Sequence, residues 1–565
     1  MSDFEKAKKL FFQALDLIDS CNFEGAEARL RKALRLAPGH VNILTNLSGV
    51  LLQQNRPGEA RACAEEALAA KPDNIEALLV LADCCARGGA LAEALAAYDR
   101  VVSLDATIAA AHNNRGLVLE QLGRPAEALA SYDRAIALAP QFSDLHVNRG
   151  NALDDPDQAL AAYDQALTLN PDLAEAWLGR GNVFYNLGRW DDALAAYDRA
   201  LALRPDLTLA WLGRGNVFCK LKRNDEGLAA YDQALARTDD LAEAWLGRGN
   251  ALCDLKRPDE ALAAHARALA LKPDFAEAWF GRGNAFHELK RYEEALTAYD
   301  KALSLDAELD YVWLARADTL RLLKLAPESI AAYRQALKRG ADSDLVRYHL
   351  AGLGAEPSPS APPERFIVNL FDSYADNFER HLVDKLKYRM PILLADAIRR
   401  FVGSNALDIL DLGCGTGLMG ERLRPLKRTL TGVDLSPNML EKARRRDIYD
   451  HLVASDLTKF LETQNKAFNL AVAADVFVYL GDLSQVFRGV RNALRNGGLF
   501  GFSVEASDDA EFVLRRTLRY AHSVDYLRNL AERYQFIVET IEPQVIHQDS
   551  GADIHGHLAI MRLPS

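Results

Sequence analysis

The residues Leu410-Asp411-Leu412-Gly413-Cys414-Gly415-Thr416-Gly417 run from an apolar stretch through an acid into a glycine turn, a pattern that predicts a nucleotide-type cofactor site. Leu407-Asp408-Ile409-Leu410 reads as a buried parallel strand, and the glycines let the backbone turn sharply and approach a ligand with no Cβ in the way. This spacing fits two cofactors. Gly415-Thr416-Gly417-Leu418-Met419-Gly420 satisfies the G-x-G-x-x-G pattern of dinucleotide sites, and Asp434 follows about 20 residues on, where a ribose ligand belongs. NAD therefore stays open on the glycines alone.

Charge separates the alternatives. A dinucleotide sets its pyrophosphate at the helix N-terminus after the turn, and Asp411 beside it would add repulsion. A cofactor with an ammonium, a sulfonium and no phosphate tolerates that acid, which favours S-adenosylmethionine. Further strand ends agree: residues 429–436 end a second apolar run at Asp434, residues 451–457 a third at Asp456, and residues 468–475 a fourth at Asp475. A single aspartate at a strand end is usually a turn or a helix cap. Four in order point to a ligand.

This succession resembles the class I S-adenosylmethionine-dependent methyltransferases over residues 365–565. The resemblance implies a Rossmann-like α/β domain whose acid-and-glycine turn, Asp411, Gly413, Gly415, Thr416 and Gly417, holds the methionine part of the cofactor. Asp434, followed by Leu435, matches the residue that binds the ribose hydroxyls. Ser455, Asp456 and Leu457 match the adenine pocket, and Asp475 with residues 476–480 matches the loop beneath the transferable methyl. Residues 371–381 resemble the lid of small-molecule methyltransferases, where an aromatic, here Tyr374, contacts the cofactor; Arg389 is a candidate for its carboxylate. S-adenosylhomocysteine would be the product.

The same resemblance places acceptor contacts at Tyr479, in residues 519–523 and in residues 547–557. Tyr479 and His522 are the catalytic candidates, His522 because an imidazole accepts a proton near neutral pH; a capping or surface histidine is the plainer reading. A sulfonium methyl is already electrophilic, so holding a nucleophile in line and excluding water is the main task, and a dedicated base is not required. Cys414 reads as a small residue tolerated in the turn, and Arg444-Arg445-Arg446 as a solvated helix face.

The elements before residue 340 follow another rule. Trp177, Trp211, Trp245, Trp279 and Trp313 recur every 34 residues, and Pro171, Pro205 and Pro273 keep the same beat. That period marks a helical repeat. The unit 171–204 resembles a tetratricopeptide repeat, with alanines and glycines for close helix approach and the tryptophan and tyrosine filling the gap between neighbours. Ten units count from Phe4, and the one at Pro140 is three residues short, a loss that alignment puts in its inter-helix turn.

The family's arrays coil into a right-handed superhelix with a groove that binds protein. Asn151, Asn182, Asn216, Asn250 and Asn284 match a groove-facing position, where amides could bond an extended peptide. Recent duplication explains the ladder equally well. Substituting three of these asparagines is expected to spare the helix core.

The fold class is thus an α-solenoid, residues 1–340, then a proline-rich linker, 341–364, then the methyltransferase-like domain, 365–565. Four prolines in residues 355–364 predict an extended, semi-rigid spacer. A formal net charge of −12 argues against sequence-independent nucleic-acid binding. Seven scattered cysteines with no C-x-x-C pair predict reduced packing residues and no metal site. No uncharged apolar stretch is long enough for a membrane, and the start lacks a signal-peptide plan, so the expected location is the cytoplasm. The whole resembles a bacterial group of repeat-bearing methyltransferases. Two functions follow: methyl transfer to a small carboxylic acid, a carrier-bound acyl group or a protein brought by the repeats, or a cofactor-binding scaffold without turnover.

Overall fold

The computed structural model describes residues 2–374, 389–403, 406–508, 511–549 and 552–565. Twenty helices pair as ten hairpins between Asp3 and Lys338. The chain divides into two compact units, Met1–Ala285 and Phe286–Ser565, a division that falls within the hairpin array.

In the first unit the hairpins close on small residues. Helices Ala174–Asn186 and Trp190–Leu203 bury Ala176, Gly179 and Gly181 on one side and Ala193, Ala196, Tyr197 and Ala200 on the other. The glycines are sterically required: a Cβ on Gly181 would lie 2.5 Å from the Tyr197 ring, and one on Gly213, in the next hairpin, 2.4 Å from it. One tyrosine therefore fills the space between consecutive repeats. The tryptophans are half-buried at the hairpin edges, where Trp177 and Trp211 donate from the indole nitrogen to the Pro171 and Pro205 carbonyls at 3.1 and 3.0 Å.

The tyrosine hydroxyls lead to the asparagine ladder. Tyr163 donates to Asn151 Oδ1 at 2.7 Å, Tyr197 to Asn182 Oδ1 at 2.9 Å, and Tyr231 to Asn216 Oδ1 at 2.7 Å. Asn151 and Asn182 are exposed and Asn216 is half-buried, yet each is the acceptor for a buried tyrosine hydroxyl, so replacing them takes a partner from the core. In the next hairpin His265 stands where the tyrosines stand, wedged between Gly249 and Gly281, and burial lowers its pKa to about 4. The short unit also departs from expectation: Ser143–Asn151 has nine residues against thirteen in Ala174–Asn186. The deletion is taken from the last turn of the first helix, not from the connection.

The second unit carries the helix Tyr292–Leu305, the last hairpin and one more helix, Ser343–Gly352, capped by Asp342, which accepts from the N–H groups of Asp344 and Leu345. That helix occupies the start of the expected linker. The proline-rich residues after it are bonded to the α/β domain: Gly481 and Asp482 donate to the Ser360 carbonyl at 2.8 and 3.0 Å, and Leu514 N–H donates to Ser358 Oγ at 3.1 Å. The stretch expected as an extended, semi-rigid spacer is a strap bonded to the domain.

The domain is a nine-stranded sheet: β1 (Leu407–Leu412), β2 (Lys427–Asp434), β3 (His451–Ala454), β4 (Phe468–Ala473), β5 (Leu494–Ala506), β6 (Phe512–Leu514), β7 (Tyr520–His522), β8 (Ile537–Asp549) and β9 (Ala552–Arg562). Its order is β3-β2-β1-β4-β5-β7-β6, with β9 antiparallel to both β5 and β8. Strands β1 to β5 run parallel. Both faces are covered, Leu410 and Leu412 packing with Phe500 and Phe502 on one and Ile409 with Leu470 and Val472 on the other. Burial on both sides is why these strands read as continuous apolar runs. The order reverses between β1 and β4, where such sheets open a crevice at their carboxyl ends.

Candidate functional site

The acids and glycines at those strand ends enclose a cavity of about 400 Å³. Gly413, Gly415, Thr416, Asp434, Leu435, Asp456, Leu457, Asp475 and Tyr479 all line it. Gly413, Gly415 and Gly417 have φ of +66°, +53° and +93°, the left-handed region that glycine adopts most readily. A Cβ on Gly413 would also lie 2.6 Å from Val476 Cγ2. The turn wraps the end of β2, with Gly413 and Cys414 N–H donating to the Val433 carbonyl at 2.8 and 3.0 Å.

Each acid is oriented by its neighbours. Asp434 Oδ2 accepts from Gly415 N–H at 2.8 Å and Oδ1 from Ser436 N–H at 2.9 Å. Asp456 caps the helix Leu457–Glu462 through Oδ1, which accepts from the Thr458 and Lys459 N–H groups. Asp456 thus both caps a helix and lines the cavity. Asp475 has φ +58°, unusual for a non-glycine, and is held by Ser503 Oγ on its N–H and by Arg519 Nη2 on Oδ1, both at 2.9 Å. Thr416 Oγ1 is buried in the turn with no hydrogen-bond partner among the described residues.

Other expected residues lie behind this surface. Asp411 is 1% exposed and accepts from the Tyr449 hydroxyl at 2.6 Å; burial raises its pKa to about 7, aided by the Asp434 charge and opposed by the Tyr449 bond. Gly417 turns its α-carbon toward Arg446 and Tyr449, and Ser455 N–H donates to the Asp434 carbonyl at 3.1 Å. Arg389 is exposed at the N-cap of the helix Met390–Arg399. Tyr374 ends the helix Glu364–Tyr374, and its side chain, like residues 375–381 of the expected lid, lies outside the described residues.

His522 does not reach the cavity. Its ring is fully buried, stacked on Tyr526 at 5.9 Å, with Nε2 2.9 Å from the Gly481 carbonyl oxygen. Burial lowers its pKa to about 4, against the pull of the Gly481 and Leu480 carbonyls. It is a core histidine rather than a base or a cap. Residues 547–549 and 552–557 lie in the β8–β9 hairpin, and His547 and residues 553–557 do not line the cavity.

The sequence places Arg519 among the acceptor contacts and Arg446 on a solvated helix face, but both brace the site. Arg519 lines the cavity, bonding Asp475 on one side and Glu505 Oε1 on the other at 2.5 Å, with its guanidinium 5.7 Å from the Tyr479 ring centroid. Arg446, expected to be solvated, donates from Nε to the Thr416 carbonyl at 2.6 Å and pairs with Glu421. The strap and the helix after it supply a wall through Ala361, Pro362, Ile367 and Phe371. The signal available was weak: each partner is distant in sequence.

A family profile described as a methyltransferase domain matches residues 410–500, and tetratricopeptide-repeat profiles match residues 13–74, 50–108, 109–142, 152–208, 249–290 and 276–308. The chain carries tetratricopeptide repeats and a methyltransferase domain. Nodulation protein S of Rhizobium tropici is 35% identical over 89 residues, 15% of this chain and 37% of that protein. A malonyl-acyl-carrier-protein O-methyltransferase of Legionella pneumophila is 28% identical over 169 residues, 28% of this chain and 58% of that protein. The chain thus spans between 37% and 58% of the length of these two relatives. Among solved structures, the APC/C hetero-tetramer Cut9-Hcn1 is similar at a TM-score of 0.40 and 16% identity, over 60% of this chain and 75% of that one. Within the methyltransferase domain the matched residues hold the end of β1, β2 to β4 and the glycine turn, the elements that build one side of the cavity. Among the described residues, no helix is long and apolar enough to cross a membrane.

Proposed function

We propose that the methyltransferase domain transfers a methyl group from S-adenosylmethionine to an acceptor that the repeats help to recruit. The observation that carries this reading is the lining of the cavity: three carboxylates, Asp434, Asp456 and Asp475, converge on a glycine turn, and the arginine there is already paired. Such a lining suits a cationic cofactor and opposes a pyrophosphate. The buried Thr416 hydroxyl supports the fit, since a ligand in the turn would give it the partner it lacks.

In this reading Asp434 accepts from the ribose, Asp456 and Leu457 hold the adenine, and the Gly413–Gly415 backbone holds the amino-acid end. The cofactor supplies a methyl that is already electrophilic. Asp475 and Tyr479 lie under the acceptor side, and Ile367, Phe371 and Leu480 make it apolar, which excludes water. No residue of this chain is assigned as a general base. An acceptor with an apolar portion fits, and a carrier-bound acyl group, as in the name of the malonyl-acyl-carrier-protein O-methyltransferases, is one such acceptor. The repeats bind the acceptor or its carrier as a protein partner, raising its effective concentration.

The test is to supply S-adenosylmethionine labelled in the methyl group to a lysate lacking this protein and then add the purified chain. Chain-dependent label in the small-molecule or protein fraction, with S-adenosylhomocysteine formed, supports transfer. Cofactor binding with no turnover in any fraction would favour the scaffold.

A further inference from the structure

Arg519 reaches Asp475 from a tight turn between β6 and β7, and that turn is fixed from outside the sheet. Arg515 N–H donates to the Arg519 carbonyl at 2.9 Å and Leu518 N–H to the Arg515 carbonyl at 2.8 Å. Leu518 has φ +60°, a strained value for a leucine, which persists only where the surroundings over-determine it. The surroundings are the helix Ser343–Gly352. Tyr348 donates its hydroxyl to the Leu518 carbonyl at 2.9 Å in a buried contact 170 residues apart in sequence. Gly352 lets the helix come this close, since a Cβ there would lie 2.7 Å from Leu518 Cδ2 and 3.2 Å from the Arg515 carbonyl oxygen. Tyr348 and Ala351 share one cluster with Leu514, Leu518 and Tyr520.

We propose that Tyr348, on the helix that follows the last repeat, is a positioning residue for the methyl-transfer site. It holds the Leu518 carbonyl, Leu518 sets the path of Arg519, and Arg519 holds Asp475 in its left-handed conformation at the cavity. The proposal rests on the S-adenosylmethionine reading above, in which Asp475 lies beneath the transferable methyl and so faces the sulfonium. Loss of the tyrosine hydroxyl then weakens binding of the charged cofactor more than that of S-adenosylhomocysteine, which has no sulfonium. A role in stability alone would move both ligands together.

The experiment measures dissociation constants for S-adenosylmethionine and S-adenosylhomocysteine by calorimetry on the full-length chain. Four variants are compared with wild type: Tyr348→Phe, Arg519→Lys, the two combined, and Tyr197→Phe. Tyr197 donates to Asn182 within the repeats and serves as the control. Deleting one buried hydrogen bond predicts an S-adenosylmethionine affinity about threefold to tenfold lower in Tyr348→Phe, with S-adenosylhomocysteine changed less than about twofold. The combined variant matches Arg519→Lys alone, because both act through one contact. Tyr197→Phe lowers the melting temperature without altering the ratio of the two affinities. An unchanged ratio in Tyr348→Phe, or additive losses in the combined variant, would overturn the proposal while leaving the cofactor reading intact. Wild-type protein that binds neither ligand would overturn both.

Discussion

Asp411 is wholly buried, and burial together with the Asp434 charge puts its pKa at about 7 against an ordinary carboxylate value near 3.8. Between those values the folded chain holds a proton that the unfolded chain has released. Its stabilising contribution is therefore complete below pH about 4 and is lost as pH rises through about 7. Asp411→Asn keeps an acceptor for Tyr449 and cannot ionise, so its melting temperature should gain on wild type between pH 5 and pH 8. A difference that stays flat would show that Asp411 does not carry that proton. Gly432→Ala should cost about 1–3 kcal/mol in chemical denaturation, because the new methyl would lie 2.7 Å from the Tyr449 ring and overpack it. At this scale the acids were legible in the sequence because each ends an apolar run. Tyr449 and the bracing roles of Arg446 and Arg519 were not, since their partners lie 38, 30 and 44 residues away. The sequence shows the imidazole of His522 but not the packing of Gly481 and Tyr526 that encloses it.

Helix hairpins and strands make the second scale. The asparagine ladder reads in sequence as a row of groove amides, yet Asn182 is the acceptor for the buried Tyr197 hydroxyl. Asn182→Ala should cost about 1–3 kcal/mol by leaving that donor unsatisfied, and Asn182→Ala combined with Tyr197→Phe should recover most of the loss. Denaturation of the single and double variants checks this, and equal stability of the two would exclude the coupling. A test of partner binding at the ladder consequently needs the Tyr→Phe background. The β1 to β4 segments were legible from their apolar runs and terminal acids. The strap was only half legible: four prolines predict extended backbone, but nothing in the composition announces that Ser358 and Ser360 accept hydrogen bonds from the domain.

In the proposed function the hairpins recruit an acceptor and the methyltransferase domain binds the cofactor. The helix Ser343–Gly352 and the strap belong with the catalytic domain, so a truncation should spare them. A chain beginning at Phe275 removes most hairpins and keeps the second unit entire. It should retain the cofactor affinity of the full protein and show a raised apparent KM for the native acceptor; unchanged kinetics would mean that the repeats serve another partner. The proposed function stands or falls with the cofactor, which a calorimetric titration of the full-length chain with S-adenosylmethionine and with NAD identifies. S-adenosylmethionine should bind and NAD should not, and Asp434→Ala should weaken binding by about 1.5–3 kcal/mol, the cost of losing a charged hydrogen-bond acceptor. Tight binding of NAD with no heat from S-adenosylmethionine would contradict it.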